Sequence, residues 1–180
     1  MKNEREIIII AAMAENRVIG KDNAMPFFIR GNLARFKEMT MGWPCVMGRK
    51  TWESLPKKPL QSRLNIIISN TLNQDDLTQN RAESQVRGTE KKEDVFNVKV
   101  FNSIAQAMDY CVNYDKIFIC GGESIYKQTL RFANKIDLTL VPGQYEGDAF
   151  FPEIDDSWAK TETVNFKDFS VDTYIKTNQE

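Results

Sequence analysis

Two places in the sequence join a short apolar run directly to residues suited to holding an anion. After Pro44–Gly48 (PCVMG) come Arg49, Lys50 and Thr51, and after Lys116–Cys120 (KIFIC) come Gly121 and Gly122. A helix opening at such a point presents free backbone N–H groups and the positive end of its dipole. Two cations and a hydroxyl stand beside the first, and paired glycines let backbone approach a ligand closely at the second. Each junction alone is ambiguous, because Arg49 and Lys50 also suit a solvated face and Gly-Gly suits any tight turn. Asn32 and Phe36 are four residues apart, so they share one face of a helix. An amide beside an aromatic ring fits a ligand pocket and equally a satisfied polar residue in a core. Histidine is absent. Proton transfer therefore falls to carboxylates, hydroxyls, water or a cofactor.

The elements that position these residues read as one domain. A chain of 180 residues with 42% hydrophobic content can bury a substantial core. With 24 basic and 25 acidic residues the net charge is −1, which supplies no general field toward nucleic acid or a membrane surface. Any anion site must be local. Cys45, Cys111 and Cys120 are odd in number, lack metal or redox spacing and sit in apolar segments, which suits reduced thiols. The N-terminal MKNEREIIIIAAMA is too short to span a bilayer and poorly shaped as a secretion signal. Cytoplasmic residence is the expectation, with no metal, nucleic-acid or membrane partner.

Along the chain, Ile7 to Met13 is a continuous apolar run that predicts a strand buried on both faces. Gly20, Lys21, Asp22 and Asn23 predict a mobile loop ahead of Pro26. Ile29, Leu33, Phe36 and Met39 follow at helical spacing, which predicts one apolar helix face starting at Ile29. Pro44–Gly48 and Leu64–Ser69 are further buried strands, with a helix at Arg49–Leu55 between them. Residues 70 to 97 turn polar and charged without periodicity and predict an exposed, partly mobile insertion. Val98–Phe101 resumes a strand, and Ser103 caps a helix with apolar positions Ile104, Ala107, Met108, Cys111 and Val112. Lys116–Cys120 leads to a helix from Glu123 to Phe132. Lys135–Pro142 precedes a terminal antiparallel hairpin, Ala159–Val164 and Val171–Lys176. Strands alternating with helices imply an α/β domain with a mainly parallel central sheet, flanking helices and an antiparallel C-terminal strand. The carboxyl ends of such a sheet share one edge, where a phosphate-bearing cofactor could touch both junctions.

In that order, IIAAMAENRVIGKDNAMPF, LARFKEMT, VMGRKTWESL, RLNIIIS, ICGGESIY and EGDAFFP resemble dihydrofolate reductase over nearly the whole chain outside residues 70 to 97. The resemblance implies NADPH as cofactor and dihydrofolate as substrate, reduced by hydride transfer to C6 with protonation at N5, in a monomer. It implies that Gly48, Arg49, Lys50, Thr51, Ser69 and Asn70 contact the cofactor's phosphates and adenosine ribose. Gly121, Gly122, Glu123, Ser124, Ile125, Tyr126 and Gln128 would form the second wall, the glycine pair resembling one that the family joins by a cis peptide. Ala12 and the loop of Val18, Ile19, Gly20, Lys21, Asp22, Asn23 and Ala24, with Met25, would close over the nicotinamide and exclude water. Ile10, Ala11, Phe36, Leu55, Leu60, Cys120, Tyr126 and Thr139 would line the pterin and benzoyl pocket. Arg63 would pair with the carboxylate of the glutamate tail, a task suited to a planar bidentate donor. Asn32, Met25, Phe27 and Thr139 would stand nearest the reacting ring.

Two positions depart from the pattern. Asn32 stands where the family places Asp or Glu to grip the pterin, and Phe27 where bacterial members commonly carry Trp. A carboxylate accepts two hydrogen bonds and favours the protonated ring, whereas an amide offers one acceptor and adds a donor. Three readings follow: a reductase with a weakened proton step, a module that binds NADPH or folate with little turnover, and a related pterin or pyrimidine reductase. Arg63 argues for a substrate that bears a glutamate. Diaminopyrimidine antifolates such as trimethoprim, which depend on that carboxylate, are expected to bind weakly.

Overall fold

A computed structural model describes residues 5–77 and 98–177. Among the described residues the named elements follow in the order β1 (Glu6–Ala14), β2 (Val18–Gly20), α1 (Asn32–Thr40), β3 (Pro44–Gly48), α2 (Arg49–Ser54), β4 (Leu64–Ile68), β5 (Val98–Phe101), α3 (Ile104–Tyr110), β6 (Lys116–Ile119), α4 (Glu123–Thr129), β7 (Lys135–Val141), β8 (Ala149–Phe150), β9 (Trp158–Asn165) and β10 (Ser170–Lys176). Eight strands form one sheet in the order β5-β4-β3-β6-β1-β7-β10-β9. The pairs from β5 through β7 are parallel, whereas β10 runs antiparallel to both β7 and β9. The mainly parallel sheet with an antiparallel end, read from the alternation of elements, is the architecture observed.

The isoleucine run explains why β1 is central. Ile7 and Ile9 enter one core with Ala107 and Met108 of α3 and Ile125 and Tyr126 of α4. Ile8 and Ile10 enter a second, against which Phe36 and Met39 of α1 pack. Alternate residues of a strand face opposite sides, so an unbroken apolar run needs cover on both. Each such side chain gains roughly 1.5–3 kcal/mol on full burial.

Four expectations are corrected. The helix after Pro26 begins at Asn32, because Gly31 takes φ 89° and stops it from reaching back. Ile29 instead packs with Phe27, Val18, Val141, Phe169 and Val171 in a third core, and Leu33 is 55% exposed. The helix capped by Ser103 ends at Tyr110, leaving Val112 past its end and 66% exposed. The helix that opens at Glu123 stops at Thr129 rather than Phe132. Within the expected insertion, residues 70–77 are anchored: Leu72 and Leu77 pack on the second core, and the Gln74 amide bonds to Val98 O and Val100 N at 3.0 Å each. The remainder of that insertion, 78–97, lies outside the described residues.

Candidate active site

Because β3 and β6 are parallel neighbours, their carboxyl ends lie side by side, and the two strand–helix junctions meet. Gly48 N donates to Gly121 O at 2.8 Å. The Gly121–Gly122 peptide is cis and Gly121 has φ 109°. A Cβ on Gly121 would sit 3.1 Å from the Tyr126 hydroxyl oxygen, and one on Gly122 would sit 3.2 Å from Thr51 Oγ1. The chain can thus come this close only with glycine there. Thr51 and Lys50 open α2 at this edge, with Lys50 exposed. Arg49 is held by Glu53 at 2.7 Å. Ser69, at the end of β4, is buried and accepts from Thr71 N and Leu72 N at 3.2 and 2.9 Å, which fixes the turn that carries exposed Asn70. This edge of close backbone, hydroxyls and cations fits a dinucleotide's phosphates.

In α4, Ser124 and Gln128 are exposed and bonded to each other at 3.0 Å, while Ile125 is buried. Glu123 is occupied elsewhere, bonding Lys127 Nζ at 2.5 Å and accepting from Phe150 N at 3.0 Å. The lysine and then that N–H hold its carboxyl below the ordinary value.

Beside this edge α1 packs against the sheet. Ile10, Phe36, Leu55, Leu60 and Cys120 share the second core. Ala11 does not join them, since strand alternation turns its side chain into the first core. Tyr126 also belongs to the first core and reaches back through its hydroxyl, which donates to Ile10 O at 2.8 Å. Burial, with Cys120 a lesser cause, pushes that phenol well above its ordinary pKa. At the start of α1 the buried Thr139 hydroxyl donates to Asn32 Oδ1 at 3.0 Å. Ala12 is beside Thr139 in the sheet. Toward the far end of α1 Arg63, only 6% exposed, lies over Phe36 with its guanidinium carbon 5.9 Å from the ring centroid. Its Nε donates to Gln61 O at 2.9 Å and its Nη1 to Thr40 Oγ1 at 3.1 Å. No carboxylate among the described residues pairs with it.

The segment read as a mobile loop is tied down. Val18–Gly20 pairs with Ala149–Phe150, and Lys21 and Ala24 exchange backbone hydrogen bonds at 2.8 and 2.9 Å. Asp22 N donates to Asp148 Oδ2 at 3.0 Å, and Lys21 pairs with Glu146 at 2.6 Å. Ile19 packs on the first core, while Asn23, Ala24 and Met25 are exposed. Phe27 is buried, edge-on to Tyr145 at a centroid distance of 5.3 Å.

Residues 6–178 match the family model for dihydrofolate reductase. The chain belongs to the dihydrofolate reductase family. It is 42% identical over 158 residues to a dihydrofolate reductase of Neisseria gonorrhoeae, covering 87% of this chain and 86% of that one. A dihydrofolate reductase of Bacillus subtilis is 33% identical over 151 residues, covering 84% and 78%. Dihydrofolate reductase HdrB of Haloferax volcanii is 34% identical over 173 residues, covering 93% and 81%. Three groups around the site escaped the sequence reading: Thr40, which accepts from Arg63, and the pair Arg35 and Asp137. Arg35 is three residues after Asn32 and Asp137 two before Thr139, so the helix and strand periods would have placed all four on facing surfaces.

Proposed function

We propose that this chain reduces 7,8-dihydrofolate to 5,6,7,8-tetrahydrofolate with NADPH, as a cytoplasmic monomer with a weakened proton step. The reading rests on the order of groups along α1: amide and hydroxyl at Asn32 and Thr139, then the ring of Phe36, then the buried Arg63 on Thr40, a cation without a carboxylate partner among the described residues. A pterin, a benzoyl ring and a glutamate carboxylate have that order. A buried arginine is costly unless an anion meets it, so Arg63 is matched to a substrate that brings one.

Gly48, Arg49, Lys50, Thr51, Ser69 and Asn70 would hold the cofactor's phosphates and ribose, with Gly121, Gly122 and α4 as the facing wall. NADPH, when bound, supplies the hydride delivered to C6. The chain's own part is to place the pterin, keep water out and support protonation of N5. Met25 and the Val18–Ala24 segment would cover the reacting ring, and the ties to residues 146–150 set how that cover is held. Asn32 limits the proton step. Its oxygen already accepts from Thr139, and its N–H groups would meet the pterin's own donors. Phe27 adds no polar atom that could hold a water beside them.

Loss of NADPH absorbance with and without dihydrofolate, followed across pH, tests the assignment. Turnover that depends on dihydrofolate and rises toward acid pH is expected. Saturable binding of both molecules without turnover would instead favour a binding module.

A further inference from the structure

We propose that Arg35 and Asp137 are a positioning pair for the substrate pocket, fixing the start of α1 against β7 so that Asn32 faces the pterin. The inference rests on the functional reading above.

The first turn of α1 has little else to hold it. The one buried residue of the helix is Thr40, at its far end, and Leu33 points to solvent. Gly31 precedes the helix in the left-handed region and gives no side-chain cap. Two polar rungs join this turn to β7 instead. The first is the Thr139 hydroxyl on Asn32 at 3.0 Å. The second is Arg35, whose Nη1 and Nη2 donate to Asp137 Oδ1 and Oδ2 at 2.6 Å each.

Helix spacing of three and strand spacing of two advance about 4.5 and about 6.6 Å, so the rungs run side by side. They differ in what they fix. A hydroxyl on an amide sets one distance, while two planar groups meeting fork to fork set distance and rotation together. Asp137 is only 3% exposed, so water cannot replace Arg35. In the sheet Asp137 lies beside Ile10, and Thr139 beside Ala12. Residues in register share a face of the sheet, so the pair stands beside Ile10, with both carboxylate oxygens of Asp137 taken by Arg35. Lysine at position 35 would keep the charge and lose the fork.

The test compares the wild-type enzyme with Arg35→Lys, Asp137→Asn and the double variant Arg35→Met, Asp137→Leu. An apolar pair of similar volume commonly replaces a buried ion pair without loss of stability, so the double variant separates folding from positioning. Asp137→Asn and Arg35→Lys are expected to raise KM for dihydrofolate about tenfold with NADPH Kd unchanged. The double variant is expected to recover Tm and keep the raised KM. If KM stays within about twofold of wild type in every variant, or returns in step with Tm, the positioning role is wrong. A wild-type protein inert toward dihydrofolate would overturn the functional reading first, and this inference with it.

Discussion

On the proposed reading, a single amide at position 32 meets the pterin of dihydrofolate. Asn32→Asp restores a second acceptor and a counter-charge in a closed site, worth about 2–4 kcal/mol or roughly 30- to 1000-fold. Turnover at neutral pH should rise by an amount in that range, and the acid-side increase of the wild type should shrink. Unchanged turnover in Asn32→Asp would remove the role given to this position. By the same reasoning, a diaminopyrimidine such as trimethoprim should bind the wild type weakly and Asn32→Asp far more tightly, read by titration of inhibition. Nanomolar inhibition of the wild type would contradict it. For Arg63, which lies over Phe36 and is held by Thr40 and Gln61, Arg63→Leu should raise KM for dihydrofolate roughly 10- to 100-fold. A pterin substrate without the glutamate should lose nothing. Asn32 was singled out in the sequence by its helical spacing from Phe36, and Arg63 by the family resemblance alone. Asp137 was not, since β7 reads as a buried strand and only its pairing with β1 and β10 shows which side faces α1.

Glycines set how closely the elements around the site approach one another. The ties of Val18–Gly20 to the 146–150 segment depend on Gly147, where a Cβ would lie 2.3 Å from Val18 Cγ1 and 2.7 Å from Gly20 O. Both contacts are too short to absorb without displacing β2. Gly147→Ala should cost about 1–3 kcal/mol, lowering Tm by roughly 2–10 °C, and should weaken NADPH binding through the displaced cover. Calorimetry and a fluorescence titration of NADPH check both parts, and an unaltered Tm would mean that the segment yields freely. The order of strands and helices was readable because hydrophobic runs of four to seven residues alternate with turn formers. The start of α1 was misjudged because Ile29 fits the helical period, while the left-handed Gly31 that precedes the helix has no mark in sequence beyond being a glycine. The pinning of the loop was hidden as well. Its partner strand is two residues long, too short to carry a pattern.

Taken whole, the molecule should lose stability at both extremes of pH, for different reasons. Burial raises the Cys111 thiol from 9.0 to about 11, with Arg5 opposing. Between those values the unfolded chain releases this proton and the folded one keeps it, so unfolding becomes easier as pH rises, by on the order of 2 kcal/mol. Cys111→Ala should flatten that alkaline slope in urea titrations, and an unchanged slope would assign it to other groups. At the acid end, Glu123 is held below its ordinary 4.5 by Lys127 and the Phe150 N–H. Its contribution is present above that value and fades as pH falls through the lower, folded one. The Gln74 amide has a consequence of a different kind. By accepting from Val100 and donating to Val98, one side chain imitates two backbone groups of an incoming strand. That stretch of β5 is thereby closed to a second molecule, guarding a flat ladder against runaway stacking at high protein concentration.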